Sequence, residues 1–557
     1  MAIDRNCMAT VPKWEIFELK LVADKDFENP FLEVDLCVIF SNGKQKLSID
    51  GYYDGQNEWK VRFAPMDEGE WHYETFSNIV SLDGQTGMFS CVAQISRGAL
   101  TVSYQYPNWF FRADGRPQWV VNDGWYPHPL FGISLPFEGL DFPPPSEEDI
   151  KTYLKILGDH KVNMMLEVDQ LYARQTTLTD TTFNWPWKVL DAENNLIDKD
   201  FFNLDFYQRM DRTLEYAKEQ NVFYGLELLF DNSVFRPREW SAHPLNRKNG
   251  GWLDSNEKGT GWGVIFNMNN EEHMMYIERY LKYTIARFSA YWNVFWALGA
   301  ESGNLAKVKG DELPGEVVAS WYGHWGDYVA GKDVYGRLQA IGDTGEQSIL
   351  IRHPRNNFII TQEHTSMEDI KKFYENTNVF GERFWNYGRP SVIGEQDRHN
   401  CNHYNEERKG YWVSFVSGFY MGRVDRHFGV AEKGKLVESN LFNIDGVPPI
   451  YGDLLHMSNF IEQSQINYWR MKPYDILIKA QTEPTYCLAA VGEEYLVYFP
   501  IGGKASLIIP EAEYSWFNPR TGTIFFTGHL HSGNAEFISP DSEDWVLYIK
   551  ALPVHPK

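Results

Sequence analysis

Between residues 105 and 465, short apolar runs that end in polar residues alternate with segments of helical period, and this alternation constrains the fold more than any other feature. The runs are QWVVNDGWY (118–126), VNMMLEVD (162–169), VFYGLELLFDN (222–232), VFWALGAES (294–302), SILIRHP (348–354), FIITQEH (358–364), SVIGEQD (391–397) and GFYMGRVD (418–425). Between them, Met274, Ile277, Leu281, Ile285 and Phe288 fall on one helical face, and Ser146 stands as an N-cap before the acidic first turn of a second helix. Eight strand-like runs, most joined by crossovers long enough for a helix, predict an α/β fold of the closed (β/α)8 TIM barrel type rather than an open doubly wound sheet. No G-x-G-x-x-G or P-loop sequence favours a nucleotide fold. The tightest connection is between the fifth and sixth runs, where Arg355, Asn356 and Asn357 leave no room for a helix.

On both sides the period changes to two. FLEVDLCVIFSNGKQKLSIDGYYDG before the barrel, and YLVYFPIGGKASLIIP, YSWFNPRTGTIFF and DWVLYIKAL after it, alternate polar and apolar residues with Gly, Asp and Asn between. These segments predict antiparallel β-sandwich domains over residues 1–104 and 466–557, flanking a barrel over 105–465. YWRMKPYDIL joins the barrel to the last module without a Gly/Ser linker, so the modules are expected to dock rigidly.

Charge narrows the partners. Lys+Arg 52 against Asp+Glu 76 gives a net charge of −24, which disfavours nucleic acid and anionic membranes, since both require basic patches. Aromatic residues make up 16% of the chain, with 20 Trp and 31 Tyr, and their flat apolar faces suit sugars. The five scattered cysteines lack C-x-x-C spacing, and no H-E-x-x-H or EF-hand pattern occurs, so no metal or cofactor is expected. The start of the chain has no basic region followed by an apolar stretch. As the sequence stands, the expectation is cytoplasmic, or secreted or periplasmic if a signal peptide has been removed. The oligomeric state is left open.

In a (β/α)8 barrel the C-terminal ends of the strands face the active site, and here several end in carboxylates. Glu301 ends the fourth run and Glu395 the seventh. Two carboxylates across a barrel mouth meet the needs of glycosidic bond cleavage, one protonated to donate to the leaving oxygen and one ionised to meet the oxocarbenium-like centre. Asp123 and Asp169, ending the first two runs, are candidates to bind sugar hydroxyls or to form structural ion pairs. Asp231 is the alternative acid to Glu301, with Asn232 beside it to supply an amide. Glu227 shares a strand side with Asp231 by parity and is expected inside the barrel in an ion pair. His364 is placed to hydrogen-bond a catalytic carboxylate. Trp185 and Trp187, on the long loop after the second run, are expected to form an aromatic platform or to pack inward, and Trp125 and Trp385 to floor a subsite. Arg398 is placed to clamp an acidic sugar or to pair with Asp397.

The placement of Glu301 and Glu395 resembles the retaining clan A glycoside hydrolases. More closely, VRFAPMDEGEWHYET, RGALTVSYQYPNWFFRADGRPQWVVNDGWY, PSVIGEQDR, YLVYFPIGG, WFNPRTG and DWVLYIK resemble the apiosidase-like glycoside hydrolases. That group carries an Ig-like N-terminal sandwich, a central barrel and a C-terminal sandwich of collagen-binding type. The resemblance implies Glu301 as acid/base and Glu395 as nucleophile, acting with retention on an oligo- or polysaccharide of plant or bacterial origin. Clan A enzymes commonly have Asn directly before the acid/base, where this chain has Ala300, and that departure leaves the sugar open. The rival readings are a non-catalytic carbohydrate-binding protein on a barrel scaffold and a polysaccharide lyase.

Overall fold

The computed structural model describes residues 9–122, 146–169, 185–229, 232–299, 315–342, 349–363, 370–396, 404–422, 430–431, 435–436, 449–479 and 481–553. At the N-terminus a five-stranded sheet, in the order Ala9–Pro12, Thr86–Val92, Gly69–Ser77, Leu36–Ser41 and Lys46–Asp50, accompanies a three-stranded sheet of Phe17–Val22, Glu58–Phe63 and Tyr52–Gly55. Burial in Leu36–Ser41 alternates residue by residue, as the period-two pattern requires. Phe40 from one sheet stacks on Phe63 from the other at 4.3 Å, with Trp71 and Phe89 around them in a separate core.

The central region is built on parallel strands. One sheet runs Met164–Asp169, Phe223–Glu227, Val294–Ala297, Gln339–Ala340, and a second runs Ile359–Glu363, Ser391–Gln396, Tyr420–Met421. Single parallel bridges join them, Gly342 with Ile360 on one side and Asn122 with both Met164 and Gly422 on the other. Helices Glu147–Asp159, Leu204–Glu219, Glu271–Phe288, Gly315–Lys332, Ile370–Trp385, Tyr404–Val416 and Pro449–Gln463 alternate with these strands along the chain. Glu271–Phe288 begins at Asn270, whose side chain accepts from the His273 N–H, and buries Ile277, Leu281, Ile285 and Phe288 as the spacing predicts. A hairpin of Leu100–Val102 and Phe110–Arg112 brings Phe110 against Phe358 and Tyr420, and Phe295 packs on Phe358 at 5.3 Å. Since Phe358 immediately precedes its strand, this aromatic group lies towards the N-terminal ends of the parallel strands.

One expected strand is a different element. SILIRHP contributes a short 3-10 helix, Ile349–Arg352, and the fifth parallel position is taken by Gln339–Ala340. Leu350 and Ile351 are both 1% exposed, so the apolar run that suggested a strand serves packing instead. The short connection at Arg355–Asn357 thus follows a helical turn.

After the central region a six-stranded sheet, in the order Lys472–Pro473, Tyr486–Ala490, Glu494–Phe499, Trp545–Ala551, Ala512–Asn518, Thr523–Leu530, faces a pair formed by Lys504–Ile509 and Gly533–Ile538. Both flanking modules make buried polar contacts with the centre. Arg408 holds Asp544 through two hydrogen bonds at 3.0 and 2.9 Å, and Phe460 stacks on Phe517 at 4.0 Å. On the other side Arg287 bonds Asp54 at 2.7 Å and Asp211 at 2.6 Å, Asp211 also binds Arg62, and Tyr283 donates to the Tyr53 carbonyl. No helix among the described residues is long and apolar enough to cross a membrane.

Candidate active site

The local backbone explains how two of the parallel strands deliver their terminal residues. Trp296 fixes Val294–Ala297 from outside, its indole N–H donating to Asp333 at 2.8 Å. Burial raises the Asp333 carboxyl above its ordinary value, against the lowering effect of Arg337 and of hydrogen bonds from Trp296 and two backbone N–H groups. Beyond the strand, the Leu298 N–H donates to the Ala340 carbonyl at 2.7 Å, and the Gly342 N–H donates to the Gly299 carbonyl at 2.8 Å. The chain therefore keeps its pairing through Gly299, two residues before Glu301. Glu301 itself, with Asp123, Trp125, Asp231, His364 and Arg398, lies outside the described residues.

Glu395 is the fifth residue of Ser391–Gln396. Ile360 pairs with Val392 and Thr361 with Ile393, but Gln362 pairs with Glu395, so Gly394 is an extra residue in a β-bulge. A Cβ on Gly394 would come within 3.1 Å of Ile360 Cγ2 and 3.3 Å of Leu166 Cδ1. A side chain there would crowd Ile360 and Leu166, so the glycine keeps the bulge closely packed. The bulge moves the register by one and puts Glu395 level with Gln362, two residues beyond Ile360.

A second row forms where Asp169 pairs with Glu227 and Glu227 with Ala297, the terminal positions of three adjacent parallel strands. Glu227 is 2% exposed, so the carboxylate assigned to the interior by strand parity is buried at the strand end. Asn232 opens the 3-10 helix Asn232–Phe235 just after this strand. Among the described residues, no group of three or more His, Cys, Asp or Glu side chains has the spacing to hold a metal ion.

The tryptophans are placed differently from the open-platform expectation. Trp185 and Trp187 are each 1% exposed. Trp187 begins the hairpin of Trp187–Asp191 and Leu196–Phe202, and its ring packs against Trp252 at 5.3 Å and Tyr280 at 5.4 Å. These two residues take the inward alternative and present no open face to a sugar. In the turn of the same hairpin Asn195 adopts a left-handed conformation at φ 56°. Trp385 is also misplaced for a subsite floor. It ends helix Ile370–Trp385, ahead of strand Ser391–Gln396, and its ring packs on Trp109 at 5.8 Å while Asn108 donates to its carbonyl. A helix end that leads into a strand lies by that strand's N-terminus, whereas Glu395 lies near its C-terminus.

Asn122 is not among the residues that the sequence pattern singles out. It lies in the apolar run WVVN, is wholly buried, and forms the single bridge between Met164 and Gly422. Its sequence signature is a polar side chain at the end of an apolar run, next to the carboxylate of Asp123.

Comparison with known proteins agrees with this architecture. Residues 10–78 match the family model of a domain of unknown function, DUF5060, and residues 474–550 match that of a putative collagen-binding domain of a collagenase. The solved structure of a putative glycoside hydrolase from Bacteroides vulgatus ATCC 8482 aligns with 98% of this chain and 100% of its own, at a TM-score of 0.71 and 18% identity. This chain has that fold. A glycoside hydrolase family 5 structure from the same organism aligns over 82% of this chain and 93% of its own at a TM-score of 0.56 and 14% identity. A further structure described as a glycoside hydrolase aligns over 82% and 97% at a TM-score of 0.56 and 15% identity. No curated protein matches the chain. The chain therefore shares the fold of these solved structures, and its C-terminal segment is similar to a putative collagen-binding domain.

Proposed function

We propose that the chain is a retaining glycoside hydrolase of the apiosidase-like type, with Glu395 as nucleophile and Glu301 as acid/base. The observation that carries this reading is the bulge at Gly394, which brings Glu395 into register with Gln362 at the C-terminal end of its strand. Bulges beside active sites re-aim a side chain at the expense of regular pairing. The parallel pairings, taken with the bridges at Asn122 and Gly342, support a closed eight-membered ring in which the strand before Glu301 is fourth and that of Glu395 seventh. Three modules over 1–104, 105–465 and 466–557 are the corresponding division.

In this mechanism Glu395 attacks the anomeric carbon as Glu301 protonates the departing oxygen, giving a covalent glycosyl-enzyme. Glu301, now ionised, takes a proton from the water that releases the sugar. Direct attack requires the two carboxyl groups to stand about 5–5.5 Å apart. Asp123, Trp125, Asp169, Asn232, His364 and Arg398 are the remaining candidates to line the sugar site, and Asp231 is the alternative acid. The test is a screen of aryl glycosides and of plant and bacterial glycans with wild type and Glu395→Ala. Hydrolysis by wild type alone supports the proposal, whereas sugar binding without product, or an unsaturated uronate product, contradicts it.

A further inference from the structure

We infer that Asn122 is a sugar-binding residue at the base of the proposed site and that its substrate is a neutral sugar ring with adjacent hydroxyl groups. This rests on the glycosidase reading for the reaction but on independent geometry for the residue. Among the described residues neither the amide nitrogen nor the amide oxygen of Asn122 has a hydrogen-bond partner, although the residue is 0% exposed. Buried amides are almost always paired, because leaving either group unsatisfied is costly, and an exception calls for a cause.

The surroundings hold this amide in place without pairing it. The Asn122 backbone carbonyl accepts from the Tyr411 hydroxyl at 2.9 Å, and the backbone bridges Met164 and Gly422. A Cβ on Gly422 would stand 2.0 Å from Asn122 Nδ2 and 2.3 Å from the Ile393 carbonyl oxygen. The amide thus fills the notch left by a glycine and reaches towards the strand that carries Gly394 and Glu395, two residues beyond Ile393. The Gly422 position excludes every larger residue that would block it.

An amide with a free acceptor and free donors is matched by two hydroxyls on neighbouring carbons, each able to give and to take a hydrogen bond. Glu227, buried at the end of the strand that pairs with Met164–Asp169, opposes a second negative charge and selects a neutral ring over a uronate. The ligand then supplies what the protein leaves unsatisfied, and its analogue without those hydroxyls is rejected.

The test uses the full chain and two variants, Asn122→Leu, which is close in shape and apolar, and Asn122→Ala. Turnover is read on 4-nitrophenyl glycosides, and thermal melting is read with and without free glucose, mannose, galactose, xylose, arabinose and glucuronate. The expected result is that Asn122→Leu melts at or above the wild-type temperature, since it removes two unpaired polar groups, while kcat/KM falls about tenfold or more. If no aryl glycoside is turned over, the glycosidase reading fails separately. Asn122 is then judged on melting alone, with a neutral aldose raising the wild-type Tm and not that of either variant. A lower Tm for Asn122→Leu would mean that the amide is a structural group. Unchanged kcat/KM and sugar response in both variants, or a wild type unresponsive to every sugar, or one raised by glucuronate alone, would equally overturn the inference.

Discussion

Replacing Asp211 by Ala tests whether the N-terminal sandwich and the centre of the molecule melt together. Asp211 accepts from Arg287 Nε at 3.0 Å and Nη2 at 2.6 Å and also binds Arg62, while Arg62 bonds Glu18 at 2.9 Å and Arg287 bonds Asp54 at 2.7 Å. The Arg287 side chain is 0% exposed, those of Arg62 and Asp211 are 7% and 13%, and both guanidinium groups lie over the Tyr52 ring. Breaking a buried pair by removing one member costs about 3–5 kcal/mol, because the remaining charge is buried without its partner. Glu18 and Asp54 stay in place, so the lower end, about 3 kcal/mol, is expected. An unfolding entropy of roughly 2.1 cal/mol/K per residue, spread over a 557-residue cooperative unit, turns this into a fall of about 2–3 °C in a single transition. The measurement is differential scanning calorimetry. Adding Arg62→Met to Asp211→Ala should cost less than Arg62→Met in wild type, since the pair is already broken. A melting temperature unchanged within error, or a sandwich that melts in its own transition at the wild-type temperature, would refute rigid docking through this cluster. The pH dependence has a definite sign. Burial pushes Asp211 upward, but Arg287 and Arg62 outweigh it and hold the carboxyl below its ordinary value, so its contribution is present above the ordinary carboxylate range and disappears as pH falls below it.

Asp475 has the opposite sign: burial raises it to about 6, although the Cys487 N–H and the Asn378 amide both donate to it. The stability linked to its protonated form is complete below the unfolded value and lost as pH rises through about 6, so Asp475→Asn should gain in Tm relative to wild type between pH 5 and pH 7.5, followed by calorimetry. Gly394→Ala should lower kcat at least tenfold while the far-ultraviolet circular dichroism stays that of wild type, because the added methyl meets Ile360 and Leu166 beside the bulge. Wild-type kcat in Gly394→Ala would dissociate the bulge from catalysis.

The parts of the fold that could be read from the chain were those with a strong period. Glu271–Phe288 appears where five apolar residues share a helical face, and Leu36–Ser41 where burial alternates. The parallel strand Gln339–Ala340 has no legible signal because it is only two residues long, too short to show any period, while SILIRHP carries β-branched residues whose burial serves a 3-10 turn. Trp185, Trp187 and Trp385 show the limit of reading a site from residue type alone. A tryptophan in a loop has the same sequence signature whether its ring faces a ligand or the core, and for Trp187 the contacts with Trp252 and Tyr280 decide. Strand ends were more informative. The burial of Glu227 agrees with its strand parity, and Glu395 stands at the end of its run as the sequence places it, but its register does not follow from the sequence, since the bulge that sets it is formed by one glycine among the 44 in the chain.

The central claim is retention through a covalent intermediate on Glu395, and proton NMR of the first-formed sugar tests it most directly. With an aryl glycoside that the wild type cleaves, the anomeric signal that appears before mutarotation should have the configuration of the substrate. Glu301→Ala should still cleave activated aryl glycosides and, with azide, give a glycosyl azide of that same configuration, while Glu395→Ala is inactive on them. An inverted first product would contradict the account, because it requires a water between carboxyl groups about 6.5–9.5 Å apart and would move the acid from Glu301 to Asp231.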